Sequence, residues 1–111
     1  MPHCLIEHSA TLDGNPLISH VFNGVFQSGL FEPDGSDIKV RAISFSDYCV
    51  GYSQDDFIHV TLRILSGRSV DKKRLLVKSV MKHLNAEELK NCSISVEVVD
   101  IDSKIYEKVL L

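Results

Sequence analysis

Polar and apolar residues alternate most cleanly between Phe57 and Leu65, where Ile58, Val60, Leu62 and Ile64 point one way and Phe57, His59, Thr61 and Arg63 the other. A period of two marks a strand with one buried face. Asp37 to Phe45 follows the same rule, with Ile38, Val40 and Ala42 opposite Lys39, Arg41 and Ile43. Residues 3–8 and Ser93 to Asp102 read as two further strands, the latter aligning Ile94, Val96 and Val98. Elsewhere the spacing is helical. Leu17, Ile18, Val21, Phe22, Val25 and Phe26 form a broad apolar stripe, and Asn15-Pro16 supplies a cap residue followed by a proline suited to the first turn. This predicts a helix from Pro16 to Ser28, ended by Gly29. Gly24 inside it costs about 1 kcal/mol relative to alanine, which the apolar face has to offset. A second helix starts after Gly67-Arg68-Ser69, with Ser69 as its cap and Leu76, Val77, Val80 and Leu84 facing inward. Glu32-Pro33-Asp34-Gly35 is a turn, and the polar stretch Asp47 to Asp56 a loop.

The order is strand, helix, strand, repeated once, each element recurring about 54 residues later. Each half is expected to cross over between parallel strands, giving an α+β fold: a four-stranded sheet with both helices on one face. The other face carries Phe57, His59, Thr61, Arg63, Ser93, Ser95 and Glu97, a mixture that suits either solvent or a second subunit.

With 111 residues the chain has room for one domain, spanning 1–111. Hydrophobic residues at 44% and charged ones at 24% are those of a folded soluble protein rather than a disordered or fibrous one. No apolar run exceeds three residues, far short of the roughly 20 of a membrane span, so no membrane partner is expected. The N-terminus lacks the basic and apolar regions of a secretory signal, and a cytoplasmic location is expected. Cys4, Cys49 and Cys92 cannot all pair, and neither they nor the five histidines fall at metal-binding spacing, so reduced thiols and no metal are expected. A net charge of −3 opposes general attraction to nucleic acid. An anion must therefore be held by a local cationic cluster.

The candidates for such chemistry are few. If Met1 is removed, Pro2 presents a secondary amine, and burial beside cations lowers an amine's pKa towards the range useful to a general base. Lys39 and Arg41 share one face of a strand that Ile43 and Phe45 mark as partly buried, and buried cations require anions. Arg68 enters a helix, where unpaired amides already favour negative charge and its planar fork suits a carboxylate. Lys72, Lys73 and Arg74 oppose the helix dipole there, but read more simply as a solvated face. Glycine-rich nucleotide loops and the serine-hydrolase elbow are absent from the sequence.

Met1-Pro2-His3 leading into a strand, Ile38-Lys39-Val40-Arg41, Phe57-Ile58-His59-Val60-Thr61-Leu62 and Gly67-Arg68-Ser69 together resemble the 5-carboxymethyl-2-hydroxymuconate isomerases of the tautomerase superfamily. The resemblance implies a tautomerase-like tandem β-α-β repeat assembled as a homotrimer and a role in the catabolism of aromatic compounds. It implies a cofactor-free proton shift in a small unsaturated hydroxy- or keto-dicarboxylate, with Pro2 as general base. Lys39, Arg41 and Arg68 carry over as the substrate-binding cations, Lys39 standing where some relatives have arginine. The element order alone also describes a ferredoxin-like module that binds a small molecule without turning it over, with Arg68 holding the ligand. The two readings differ in whether the Pro2 nitrogen must be free.

Overall fold

The computed structural model describes residues 1–111. Its elements follow in the order β1 (His3–Ser9), α1 (Gly14–Gln27), β2 (Lys39–Phe45), β3 (Asp56–Leu65), α2 (Val70–Asn85) and β4 (Cys92–Ile101), and a 3-10 turn at Ser103–Ile105. The four strands form one sheet in the order β2-β1-β3-β4. β1 and β2 run parallel with His3 opposite Lys39, and β3 and β4 run parallel with Asp56 opposite Cys92. The two halves meet through β1 and β3, which are antiparallel with His3 opposite Arg63.

Alternation decides which face is dry. Cys4, Ile6, Ile58, Val60, Leu62 and Ile64 are fully buried beneath Leu17, Val21 and Val25 of α1 and Leu76, Val80 and Leu84 of α2. At roughly 1.5–3 kcal/mol for each large side chain removed from water, this layer supplies most of what opposes chain entropy. The helices lie against one another as well as on the sheet. No helix is long and apolar enough to cross a membrane.

β3 and β4 each start one residue before the sequence reading, at Asp56 and Cys92, and two other element starts differ by two residues, each for a local reason. α1 begins at Gly14, and its cap is Asp13 rather than Asn15: the Asp13 carboxylate accepts from the Asn15 amide at 3.0 Å. A carboxylate at a helix N-terminus also gains from the dipole, and Pro16 still falls in the first turn, where its missing N–H costs nothing. β2 begins at Lys39 rather than Asp37, because the Ile38 amide closes a turn onto the Gly35 carbonyl at 3.2 Å. The first ladder bond is then from the Lys39 amide to the Pro2 carbonyl, at 3.1 Å.

Gly24 lies where the helices cross. A Cβ there would come within 2.7 Å of the Val80 Cα and 3.1 Å of the Ser79 carbonyl oxygen, and the Ser79 hydroxyl donates to the Gly24 carbonyl at 2.6 Å. The glycine that weakens α1 in isolation is what lets α2 approach. The clash is with backbone, so it can be relieved only by moving a helix. Gly24→Ala is expected to destabilise the fold by about 1–3 kcal/mol despite alanine's better helix propensity. Urea melts of the two proteins check this, and a variant as stable as the parent would contradict it.

Candidate active site

Because β1 and β2 are parallel while β3 runs against them, the start of β1, the start of β2 and the end of β3 gather at one edge of the molecule. Pro2 is fully buried there. Beside it opens a cleft of about 350 Å³ walled by Met1, Phe31, Pro33, Asp37 and Arg68. Arg68 reaches it from the turn before α2, its guanidinium carbon 4.8 Å above the centre of the Phe31 ring. That is a cation–π contact. At the start of α2 the Ser69 hydroxyl accepts from the Lys72 amide at 3.2 Å, while Arg68, the residue before this cap, lines the cleft.

A second cleft of about 250 Å³ adjoins the first and shares Glu32 and Asp37 with it. It holds Lys39, half-buried, whose ammonium donates to the Asp37 carbonyl at 3.2 Å, and Lys108 from the C-terminal segment. One oxygen of the Asp37 carboxylate, Oδ1, is buried without a hydrogen-bond partner. Arg41 stands apart from Arg68. It is exposed on the helix-free face, in a depression with His3, Leu5 and Arg63, and its guanidinium donates to His3 Nδ1 at 3.4 Å. Since arginine can only donate, His3 carries its proton on Nε2, which lies 3.1 Å from the Tyr106 hydroxyl. Pro2, Lys39 and Arg68 are thus brought together, with Arg41 linked to them through His3.

Glu32 and Asp37 line both clefts, yet the cations of this edge are not ion-paired with them. The ion pairs of the chain are His20 with Glu87, His59 with Glu97 and Lys73 with Asp100, so Lys39, Arg41, Arg68 and Lys108 all lack a carboxylate partner. The terminal amine of Met1 is lowered from 8.0 to about 6, first by burial, then by the hydrogen bond and charge of Lys39 and the charge of Lys108, against an opposing pull from Asp37. His3 is held below its ordinary range by burial, then by the positive amino terminus, Arg41, Lys39 and Lys108. No three His, Cys, Asp or Glu side chains converge where a metal ion could sit.

The model of a family described as 5-carboxymethyl-2-hydroxymuconate isomerase matches residues 2–109. The chain belongs to this family. No curated protein matches it in sequence. Among solved structures, a 5-carboxymethyl-2-hydroxymuconate delta-isomerase is similar at a TM-score of 0.76 and 18% identity, over 99% of this chain and 88% of that one. A 5-carboxymethyl-2-hydroxymuconate isomerase from Deinococcus radiodurans R1 gives 0.70 and 24%, over 97% and 88%. A fused 4-OT wild type symmetric trimer gives 0.77 and 14%, over 93% and 88%. At such identities the structures establish a tautomerase-superfamily fold, and the family match places this chain among isomerases.

Three participants at this edge of the isomerase-family chain escape a reading by motif. Phe31 sits in an aperiodic stretch, Asp37 looks like an ordinary strand start, and Lys108 belongs to a tail with no alternation. Only the charge of Lys108 signals it in the sequence, and only the fold says where that charge goes.

The amine provides a direct check. In protein that retains Met1, the rate of acetylation of the terminus by acetic anhydride, read from the mass of the N-terminal peptide, is expected to rise with a midpoint near pH 6. Lys39→Met should move that midpoint up towards 8.0, because it removes both a hydrogen bond and a charge that disfavour the protonated amine. A midpoint near 8.0 in both proteins would show that the edge is not electropositive.

Proposed function

We propose that the protein is a cofactor-free isomerase that moves a proton within a small unsaturated hydroxy- or keto-acid with at least two carboxylates, a class that includes 5-carboxymethyl-2-hydroxymuconate. Its base is the nitrogen of Pro2, freed by removal of Met1. The observation that carries this reading is the set of unpartnered cations near the Met1 amine, which is held low at the position next to Pro2, in a chain whose family is one of isomerases.

In the proposed cycle the neutral Pro2 amine accepts a proton from the substrate, leaving a conjugated dienolate. The negative charge spreads between the enolate oxygen and the distal carbon, and the Pro2 ammonium returns the proton to that carbon. No atom is gained or lost. Arg68 and Lys39 hold the carboxylates, and the nearest of them offsets charge on the dienolate, an effect commonly worth several kcal/mol. A base with a depressed pKa is already neutral at cellular pH, yet acidic enough when protonated to give the proton back. Because kcat/KM reports the free enzyme, it should rise with pH through the amine's lowered pKa rather than near 8.

Arg41 lies on the helix-free face, and we propose that this face packs against other copies in a homotrimer. Support comes from its half-apolar surface, where Ile43 is 48% exposed, and from the trimeric form of a similarly folded protein. The assembly would set Arg41 at or near a subunit boundary, beside His59, Thr61 and Arg63. Sedimentation at micromolar concentration should give a trimer, and a monomer would contradict this part of the reading. A cytoplasmic location is proposed on the sequence alone.

The activity is tested with a 2-hydroxymuconate-type dienol in an ultraviolet assay. Active preparations should have the intact mass of a chain beginning at Pro2, and activity in protein that wholly retains Met1 would sink the proposed base. Arg68→Ala should lower kcat/KM about 10- to 100-fold, the loss of one charge-assisted contact of roughly 1.5–3 kcal/mol. Lys72→Ala, exposed on α2, should change it less than twofold. Equal losses would mean that bulk charge, not a site at Arg68, binds the substrate.

A further inference from the structure

β4 runs parallel to β3, so its C-terminal end also arrives at the edge where β1 starts. The chain does not stop there. Asp102 caps the short 3-10 turn by accepting from the Lys104 amide at 3.0 Å, and the remaining residues run back past the start of β1 to the start of β2. Two side chains mark the course. The Tyr106 hydroxyl is 3.1 Å from His3 Nε2, with the rings tilted at 6.0 Å between centres, and Lys108 and Leu110 line the second cleft with Ser36, Asp37 and Lys39. Ile105, Val109 and Leu110 are 83%, 74% and 81% exposed. The segment is anchored at half-buried Tyr106, and beyond it exposed Lys108 and Leu110 lie along the second cleft, as a strap across the sheet edge.

The strap carries a cation to a place already cationic. Lys39 and Lys108 face one cleft, and neither has a carboxylate within 4.0 Å, although Glu32 and Asp37 line the same walls. Neither ammonium is ion-paired with those carboxylates, so both keep donors for a ligand. Tyr106 anchors the segment that carries Lys108. A ligand carboxylate between the two lysines would accept charge-assisted hydrogen bonds from both.

We propose that Lys108 and Lys39 form a carboxylate subsite, so that the C-terminal strap makes the protein selective for dicarboxylates over monocarboxylates. In this arrangement one carboxylate binds at Arg68 in the larger cleft and the second between the lysines in the adjoining one. The proposal rests on the reading of the edge as a dicarboxylate site, and it adds which residues bind the second carboxylate.

The test reads binding as well as turnover. Isothermal titration with adipate, a non-reacting six-carbon dicarboxylate, and with hexanoate, its monocarboxylate counterpart, is carried out on the full chain, Lys108→Gln, Lys108→Arg and Lys104→Gln. Lys108→Gln should weaken adipate about tenfold and leave hexanoate within about twofold, as one lost charge-assisted contact would. Lys108→Arg should retain most of the affinity, and Lys104→Gln, a neutralised lysine on the same segment, should match the parent. Equal adipate binding by parent and Lys108→Gln, an equal loss for both ligands, or no adipate binding by the parent would each overturn the subsite. In the dienol assay Lys108→Gln should raise KM with kcat little changed. A parent that binds adipate through Lys108 but moves no proton would overturn the proposed catalysis and leave the subsite standing, so the two failures are distinguishable.

Discussion

The amino-terminal strand is hydrogen-bonded on both edges, to β2 on one side and β3 on the other, and that placement governs the chemistry of the molecule. A chain terminus at a sheet's edge strand would be solvated. Here Pro2 enters the sheet interior, with its carbonyl already in the ladder to Lys39 and its ring fully buried. The strand directions do the rest. Parallel β2 starts beside β1, antiparallel β3 ends beside it, and β4, parallel to β3, ends there too. Four separated segments, around residues 2, 39, 68 and 106, meet at one edge for topological reasons alone.

What they bring is mostly positive charge. The chain as a whole carries a net charge of −3, yet Lys39, Arg41, Arg68 and Lys108 gather around the amino terminus without ion-pair partners, while His20, His59 and Lys73 find theirs elsewhere. Such a cluster costs the folded state repulsion and desolvation. Burial and the charges of Lys39 and Lys108 lower the Met1 amine, and in the proposed mature chain the same surroundings would act on the Pro2 nitrogen. Strain of this kind in the free protein is what a dicarboxylate would relieve on binding.

Much of the fold was legible because periodicity reports directly on burial. Ile58, Val60, Leu62 and Ile64 form the buried row that their alternation predicts, and Ser69 caps α2 as its position suggests. The start of α1 was read two residues late, since Asp13 and Asn15 are both competent caps and only the dipole and the neighbouring chain favour the carboxylate. Gly24 registered as a defect because its benefit lies on another helix, at Val80. Of the site, Pro2, Lys39 and Arg68 were visible in short motifs, and the structure brings them together. That Arg68 lies over Phe31, and that Lys108 lines a cleft with Lys39, depend on contacts between residues far apart in sequence, which no local pattern encodes.

The central claim is that Pro2, once terminal, is a neutral amine held among cations. Labelling the protein with 15N-proline and following the chemical shift of the terminal nitrogen against pH measures this directly. If the surroundings that lower the Met1 amine act on Pro2 in the same direction, the midpoint falls below the ordinary α-amino range of about 7.7–8.0 and moves upward when Lys39 is replaced by methionine. A midpoint within or above that range, insensitive to Lys39, would contradict it.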